Sequence, residues 1–225
     1  MSLDRKNITG HYKSFKDVDD NFLNINRPRD ENNYPTAERS LFPVTFKHNW
    51  DYEPVISLPL LSEDECDVIL NKWVEPDEED LEEDLSYRKC KINWISYYQP
   101  GWELFFDKIL KVINNVNEKH YKFELSNPIT LEAVQFTKYH SGGFYSQHTD
   151  WEGGGILDIR KLSWVINLSN PMDYRGGDLQ VLEERVPKNM GWIHLFPSFL
   201  RHQATKVFKG TRYSLVGWTI GPPFK

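Results

Sequence analysis

The chain has 225 residues, and 27 Lys and Arg against 33 Asp and Glu give it a formal charge of −6. That length suits one domain, or one domain plus an arm, and supports a core without disulfide staples. The acidic balance argues against a bulk nucleic-acid binder, and an aromatic content of 14% favours a folded, strand-rich core over disorder.

Residues 1–50 are polar, with Pro28, Pro35 and Pro43 spaced through them, and predict an irregular N-terminal arm over a domain covering 51–225. Phe42, Val44, Phe46 and Trp50 give the end of that arm something to bury. The first twenty residues lack an apolar signal-peptide core, and no apolar run reaches bilayer-spanning length, so no membrane association is expected. Cys66 and Cys90 form no CxxC pattern and read as reduced thiols of a cytoplasmic protein. Without a secretory signal, the glycosylation patterns at Asn7 and Asn167 are chance matches.

The domain opens with an apolar strand at 55–58. Ser62 to Glu65 is a capping box, with a hydroxyl three residues before a glutamate, and Cys66, Ile69, Leu70 and Trp73 follow at helical spacing. Residues 75–84 hold eight acids in ten positions, which predicts a solvated loop or helix end and leaves open a rim for a basic substrate. A strand is expected at 92–98. After Pro100-Gly101, the stripe Phe105, Ile109, Val112, Ile113 and Val116 marks a long amphipathic helix. Beyond Asn127-Pro128 the helical period stops. Strands are expected at 131–139, 162–168, 179–182, 192–196, 205–208 and 213–219, divided by turn residues. Helices first and many short strands after predict a mainly β sandwich or barrel, α+β in class, with helices packed outside.

His148 and Asp150 stand two apart, so an extended backbone turns both to one side while Thr149 points away. With the distant His202 they supply two imidazoles and a carboxylate, the facial set of a non-heme Fe(II) site with open positions. An open zinc site could use the same ligands for hydrolysis. Arg212, ten residues past His202, and Ser214 share one side of a predicted strand. A guanidinium there can hold a carboxylate with two parallel donors, and a hydroxyl adds a third. A zinc hydrolase would not need that element. Tyr139, on the strand entering the HxD turn, either donates a further bond or is a core tyrosine. His11, His48, His120 and His140 read as surface residues, His194 as a satisfied core histidine, and Trp151 as either a pocket wall or packing at the sheet rim.

At these residues the sequence resembles the 2-oxoglutarate and Fe(II)-dependent dioxygenases, and within them the prolyl-hydroxylase-type group with its bacterial and phage hydroxylases. The resemblance runs over roughly 51–222. It includes 132–150, then Arg160 to Ser163, Asn167 to Pro171, Tyr174 and Gly176 to Gln180, and finally Phe196-Pro197-Ser198 with His202, Gly210, Arg212 and Ser214. It implies a double-stranded β-helix, a cupin-like jelly roll. It also implies His148, Asp150 and His202 as iron ligands and Arg212 as the 2-oxoglutarate anchor, with Ser214 and Tyr139 as helpers. The implied requirements are Fe(II), 2-oxoglutarate, O2 and ascorbate. Arg212 stands where animal and plant prolyl 4-hydroxylases usually carry lysine, which points to the microbial side of the group.

The expected activity is hydroxylation of an unactivated C–H of a peptidyl or free amino acid, proline first. The alternatives are a dioxygenase acting on another small molecule or a nucleobase, and a non-catalytic jelly-roll binding module. The expected partner is a peptide or small-molecule substrate, with no nucleic acid. No second arginine follows Arg212, unlike the nucleic-acid demethylases of the superfamily.

Overall fold

The computed structural model describes residues 53–76, 86–151 and 156–224. The expected arm at 1–50 and all of the acidic run except Glu75 and Pro76 lie outside the described residues. Strand β1 is Ile56–Pro59, followed by helix α1, Glu63–Leu70. Strands β2, Arg88–Lys89, and β3, Lys91–Ile95, precede helix α2, Glu103–Val116. The remaining strands are β4 Val134–Tyr139, β5 Phe144–His148, β6 Arg160–Asn167, β7 Arg175–Gly176 and β8 Leu179–Val181. They are followed by β9 Glu184–Arg185, β10 Trp192–Pro197, β11 His202–Ala204, β12 Val207–Lys209 and β13 Arg212–Ile220.

Two antiparallel sheets carry the architecture. The larger runs β1-β10-β6-β13-β4-β3 and the smaller β2-β5-β11-β8-β9, while β12 and β7 form a separate pair. Alternation along the central strands separates two cores. On β6, Leu162, Trp164 and Ile166 turn outward, where Phe105, Phe106, Ile109 and Ile113 of α2 cover them. Val165 turns inward and packs with Phe196, Leu179 and Val181 between the sheets. Each large α2 side chain so buried contributes about 1.5–3 kcal/mol. Tyr121, just past α2, ties this layer to the sheet edge. Its hydroxyl donates to Leu195 O at 2.7 Å and accepts from Ile56 N at 3.3 Å.

The outward side of β13 needs a glycine at one position. A Cβ on Gly217 would lie 2.2 Å from Cζ2 of the fully buried Trp164.

The capping box forms as the sequence dictates. Glu65 N donates to Ser62 Oγ at 3.2 Å, and Ser62 N donates to Glu65 Oε2 at 3.0 Å. The helix it opens is shorter than the apolar spacing suggests. It ends at Leu70, and Trp73 instead packs edge-on against Phe136, with ring centroids 5.0 Å apart. The expected strand at 92–98 stops at Ile95, because Tyr97 and Tyr98 lie in a turn. The strand expected at 205–208 begins only at Val207. No helix among the described residues is long and apolar enough to cross a membrane.

Candidate functional site

The small sheet brings the separated halves of the triad together. His202 opens β11 directly opposite His148, the last residue of β5. Asp150 follows in a bend whose backbone N–H donates to Ser198 O at 3.0 Å, fixing the carboxylate beneath the two rings. His202 Nε2 lies 3.2 Å from Asp150 Oδ2 and His148 Nε2 lies 3.6 Å from Asp150 Oδ1. The three candidate ligand atoms all fall within 4.8 Å of one another.

The ring nitrogens facing away from the cluster decide how it can be used. His148 Nδ1 lies 2.7 Å from Ser146 O, and His202 Nδ1 lies 3.0 Å from Leu200 O. A carbonyl oxygen only accepts, so each Nδ1 carries the proton and each Nε2 turns a lone pair toward the shared centre. Tyr145 stacks on His148 at 3.7 Å and Phe196 packs beside His202 at 4.8 Å, so both rings are held in place. Ser163 Oγ donates to Asp150 Oδ2 at 2.6 Å and lies 3.0 Å from Ser198 Oγ. Burial opposes the charge on Asp150, but His202 and His148 outweigh it and hold the carboxyl well below its usual range. Burial likewise opposes a proton on His202, and Asp150 outweighs it, raising the imidazole. A divalent cation at the centre would take the place of that proton. Two neutral imidazoles, one carboxylate and an open side fit Fe(II).

That open side is a cavity of about 250 Å³ lined by the triad together with Arg212, Ser214 and Tyr139. The structure therefore brings all six sequence-predicted site residues to one place. Arg212 sits opposite Tyr139 where β13 pairs with β4, and its guanidinium carbon lies 5.5 Å from the Tyr139 ring centroid. Burial pushes the Tyr139 hydroxyl up to about 12, so it stays a neutral donor. Arg212 Nη1 donates to Ser214 Oγ at 3.1 Å. Thr137 Oγ1 lies 2.7 Å from Ser214 Oγ and gives its own proton to Ser214 O at 3.0 Å. The Ser214 proton therefore goes to Thr137, and Ser214 aims the guanidinium.

The sequence did not single out Ser163, Ser198 or Thr137 for these roles. Nor did it identify Gln135, Val165 and Val216 as cavity wall. Strand alternation could have found Gln135 and Val216, each an even step from a residue already placed inside, whereas β6 held no such reference for Val165. Trp151 lies outside the cavity lining and packs edge-on against Phe224 at 6.2 Å. His194 is buried as expected but only half satisfied. Ser57 Oγ lies 2.8 Å from its Nδ1, and its Nε2 has no partner among the described residues.

Comparison with known proteins agrees with this geometry. A family model described as the 2OG-Fe(II) oxygenase superfamily matches residues 134–220. Among curated proteins the chain is similar to PKHD-type hydroxylases. It is 32% identical over 114 residues to one from Prochlorococcus marinus (strain MIT 9515), covering 48% of each chain. It is 30% identical over 114 residues to another from Crocosphaera subtropica, covering 48% of this chain and 51% of that one. The chain thus spans about half the length of the curated relatives it matches.

Solved structures extend the likeness of fold. A viral collagen prolyl hydroxylase from Paramecium bursaria Chlorella virus-1, in its 2OG complex, aligns with a TM-score of 0.59 at 19% identity, covering 76% of this chain and 98% of that chain. A Pseudomonas putida prolyl-4-hydroxylase aligns with a TM-score of 0.58 at 23% identity, covering 75% and 93%. The shared fold is the double-stranded β-helix.

Proposed function

We propose that the chain is an Fe(II)- and 2-oxoglutarate-dependent hydroxylase. In this reading it acts on an unactivated C–H of a prolyl or other amino-acid residue and releases succinate and CO2. The observation that carries the proposal is the sharing of one cavity by the His148, Asp150 and His202 cluster and the Arg212 guanidinium. Support for prolyl substrates comes from the titles of two proteins that share the fold, a viral collagen prolyl hydroxylase and a prolyl-4-hydroxylase. His148, Asp150 and His202 would hold the iron, and Arg212 the far carboxylate of 2-oxoglutarate, with Tyr139 adding a hydrogen bond. Ser214 and Thr137 keep the guanidinium aimed. When bound, iron with 2-oxoglutarate and O2 supplies the oxidation of the C–H bond. The chain itself orients the reactants and shields them from water. Ascorbate is proposed as the reductant that keeps the iron in the Fe(II) state.

The test is succinate formation from 2-oxoglutarate with added Fe(II), ascorbate and O2, followed by a screen of proline-containing peptides. Wild-type turnover that is lost in Asp150→Ala and Arg212→Ala supports the proposal. Absence of turnover together with absence of 2-oxoglutarate binding would make the domain a binding module. Turnover stimulated by nucleobases rather than peptides would move the substrate class.

A further inference from the structure

His194 lies in the middle of β10, opposite Val165 of β6 and Ser57 of β1. Its neighbours Ile193 and Leu195 belong to the outer core, so alternation turns His194 to the inside of the barrel with Phe196. The residue is 1% exposed, and its Nε2 meets no hydrogen-bond partner among the described residues. A buried ring nitrogen left unpaired is destabilising, so one retained in a fold calls for a partner.

The surroundings limit what that partner can be. His194 lines a narrow cleft with Asn167, Tyr174, Leu179, Lys188 and Arg212. Arg212 and Leu179 also line the main cavity, so Arg212 is a wall common to both. The other polar groups of the cleft are engaged. Asn167 Nδ2 donates to Ser169 O at 2.9 Å and Lys188 O at 2.8 Å, and Tyr174 donates to Asn167 Oδ1 at 3.3 Å. Lys188 Nζ pairs with Asp178 Oδ1 at 2.8 Å and donates to Gly176 O at 2.6 Å. Burial, with the Arg212 cation second, pushes the His194 imidazole down to about 4, so the ring is neutral near pH 7. When the Ser57 hydroxyl donates to Nδ1, the ring proton sits on Nε2, which then offers a donor beside the guanidinium.

We propose that His194 is a further co-substrate-binding residue, its Nε2–H joining Arg212 and Tyr139 around the carboxylate held at the Arg212 end of the cavity. This rests on the 2-oxoglutarate reading above. The carboxylate is the acceptor the orphaned nitrogen lacks, and a neutral donor adds directionality to the charge that Arg212 supplies.

The test uses anaerobic, Mn(II)-loaded full-length protein. It measures dissociation constants for 2-oxoglutarate, for the metal, and for 2-oxopentanoate, which keeps the 2-oxo acid but lacks the far carboxylate. In His194→Phe, 2-oxoglutarate binding is expected to weaken about tenfold, the loss of one hydrogen bond to a charged group, with 2-oxopentanoate and metal binding unchanged. His194→Gln, which retains a donor, is expected to recover most of the affinity. In wild-type protein loaded with diamagnetic Zn(II), nitrogen NMR is expected to show the Nε2–H tautomer and a shift on adding 2-oxoglutarate but not 2-oxopentanoate. That readout stands even where a variant fails to fold. Unchanged 2-oxoglutarate affinity in His194→Phe, an equal loss for both ligands, or an Nδ1–H tautomer would overturn the proposal while leaving the functional reading intact. Wild-type protein that binds metal but no 2-oxoglutarate would remove both.

Discussion

Ser163→Ala removes one hydroxyl from the support of Asp150 and leaves every candidate metal ligand in place. The Ser163 Oγ to Asp150 Oδ2 bond is 2.6 Å long, both residues are buried, and the acceptor is a charged carboxylate. Hydrogen bonds to charged groups contribute about 1.5–3 kcal/mol. With about 1.4 kcal/mol per factor of ten, metal affinity is expected to fall roughly 10–100-fold, the range usual for groups that orient a ligand. The substitution also leaves Ser198 Oγ, 3.0 Å from Ser163 Oγ, without that neighbour, so part of the loss would appear as stability of the metal-free fold. The assay is therefore a pair of measurements: anaerobic Fe(II) or Mn(II) titration, and thermal unfolding without metal, for Ser163→Ala and for the double variant with Ser198→Ala. The double variant is expected to regain stability relative to the single one while its metal affinity stays low. Metal affinity equal to wild type in Ser163→Ala would refute the argument that this hydroxyl sets the carboxylate.

Two further predictions concern the frame around the site. Gly217→Ala puts a methyl group 2.2 Å from the buried Trp164 ring, and overpacking of this kind costs about 1–3 kcal/mol. The expected fall in Tm is roughly 2–12 °C by calorimetry, and an unchanged Tm would show that the ring moves aside freely. Glu75 is held at about 2, below its ordinary 4.5, by hydrogen bonds from Lys138, Lys91 and Trp73. A depressed carboxylate contributes stability that is fully present above its unfolded value and fades as pH falls through its folded value. The difference in stability between wild type and Glu75→Gln should therefore shrink between about pH 4.5 and 2, as read by denaturant titration at several pH values. A difference constant across that window would remove the ion-pair account.

Much of this site could be read from residue spacing because strand periodicity is a local property. Arg212, Ser214, Val216 and Trp218 are successive even steps on β13, and all four line the cavity. The HxD pair is local in the same sense, and the capping box before α1 is a four-residue signal that the fold reproduces. What escaped the sequence depends on register between distant strands. Ser163 reaches Asp150 only because β6 runs beneath the bend that holds the carboxylate, and Ser198 joins from the turn after β10. Thr137 meets Ser214 through the pairing of β4 with β13. Strands β2, β7 and β9 have two residues each, too few to show any period. Trp73 fits a helical stripe by spacing, but its ring packs against Phe136 beyond the end of α1.

In the proposed function the His148, Asp150 and His202 cluster and Arg212 bind metal and co-substrate as one unit. Its most direct test is anaerobic 2-oxoglutarate binding with and without Fe(II), in wild type, Asp150→Ala and Arg212→Ala. Tight binding is expected only in the wild type and only with Fe(II) present. Asp150→Ala should lose the metal, and Arg212→Ala should keep the metal but lose the co-substrate. Co-substrate binding that ignores Fe(II), or that survives unchanged in Arg212→Ala, would contradict it.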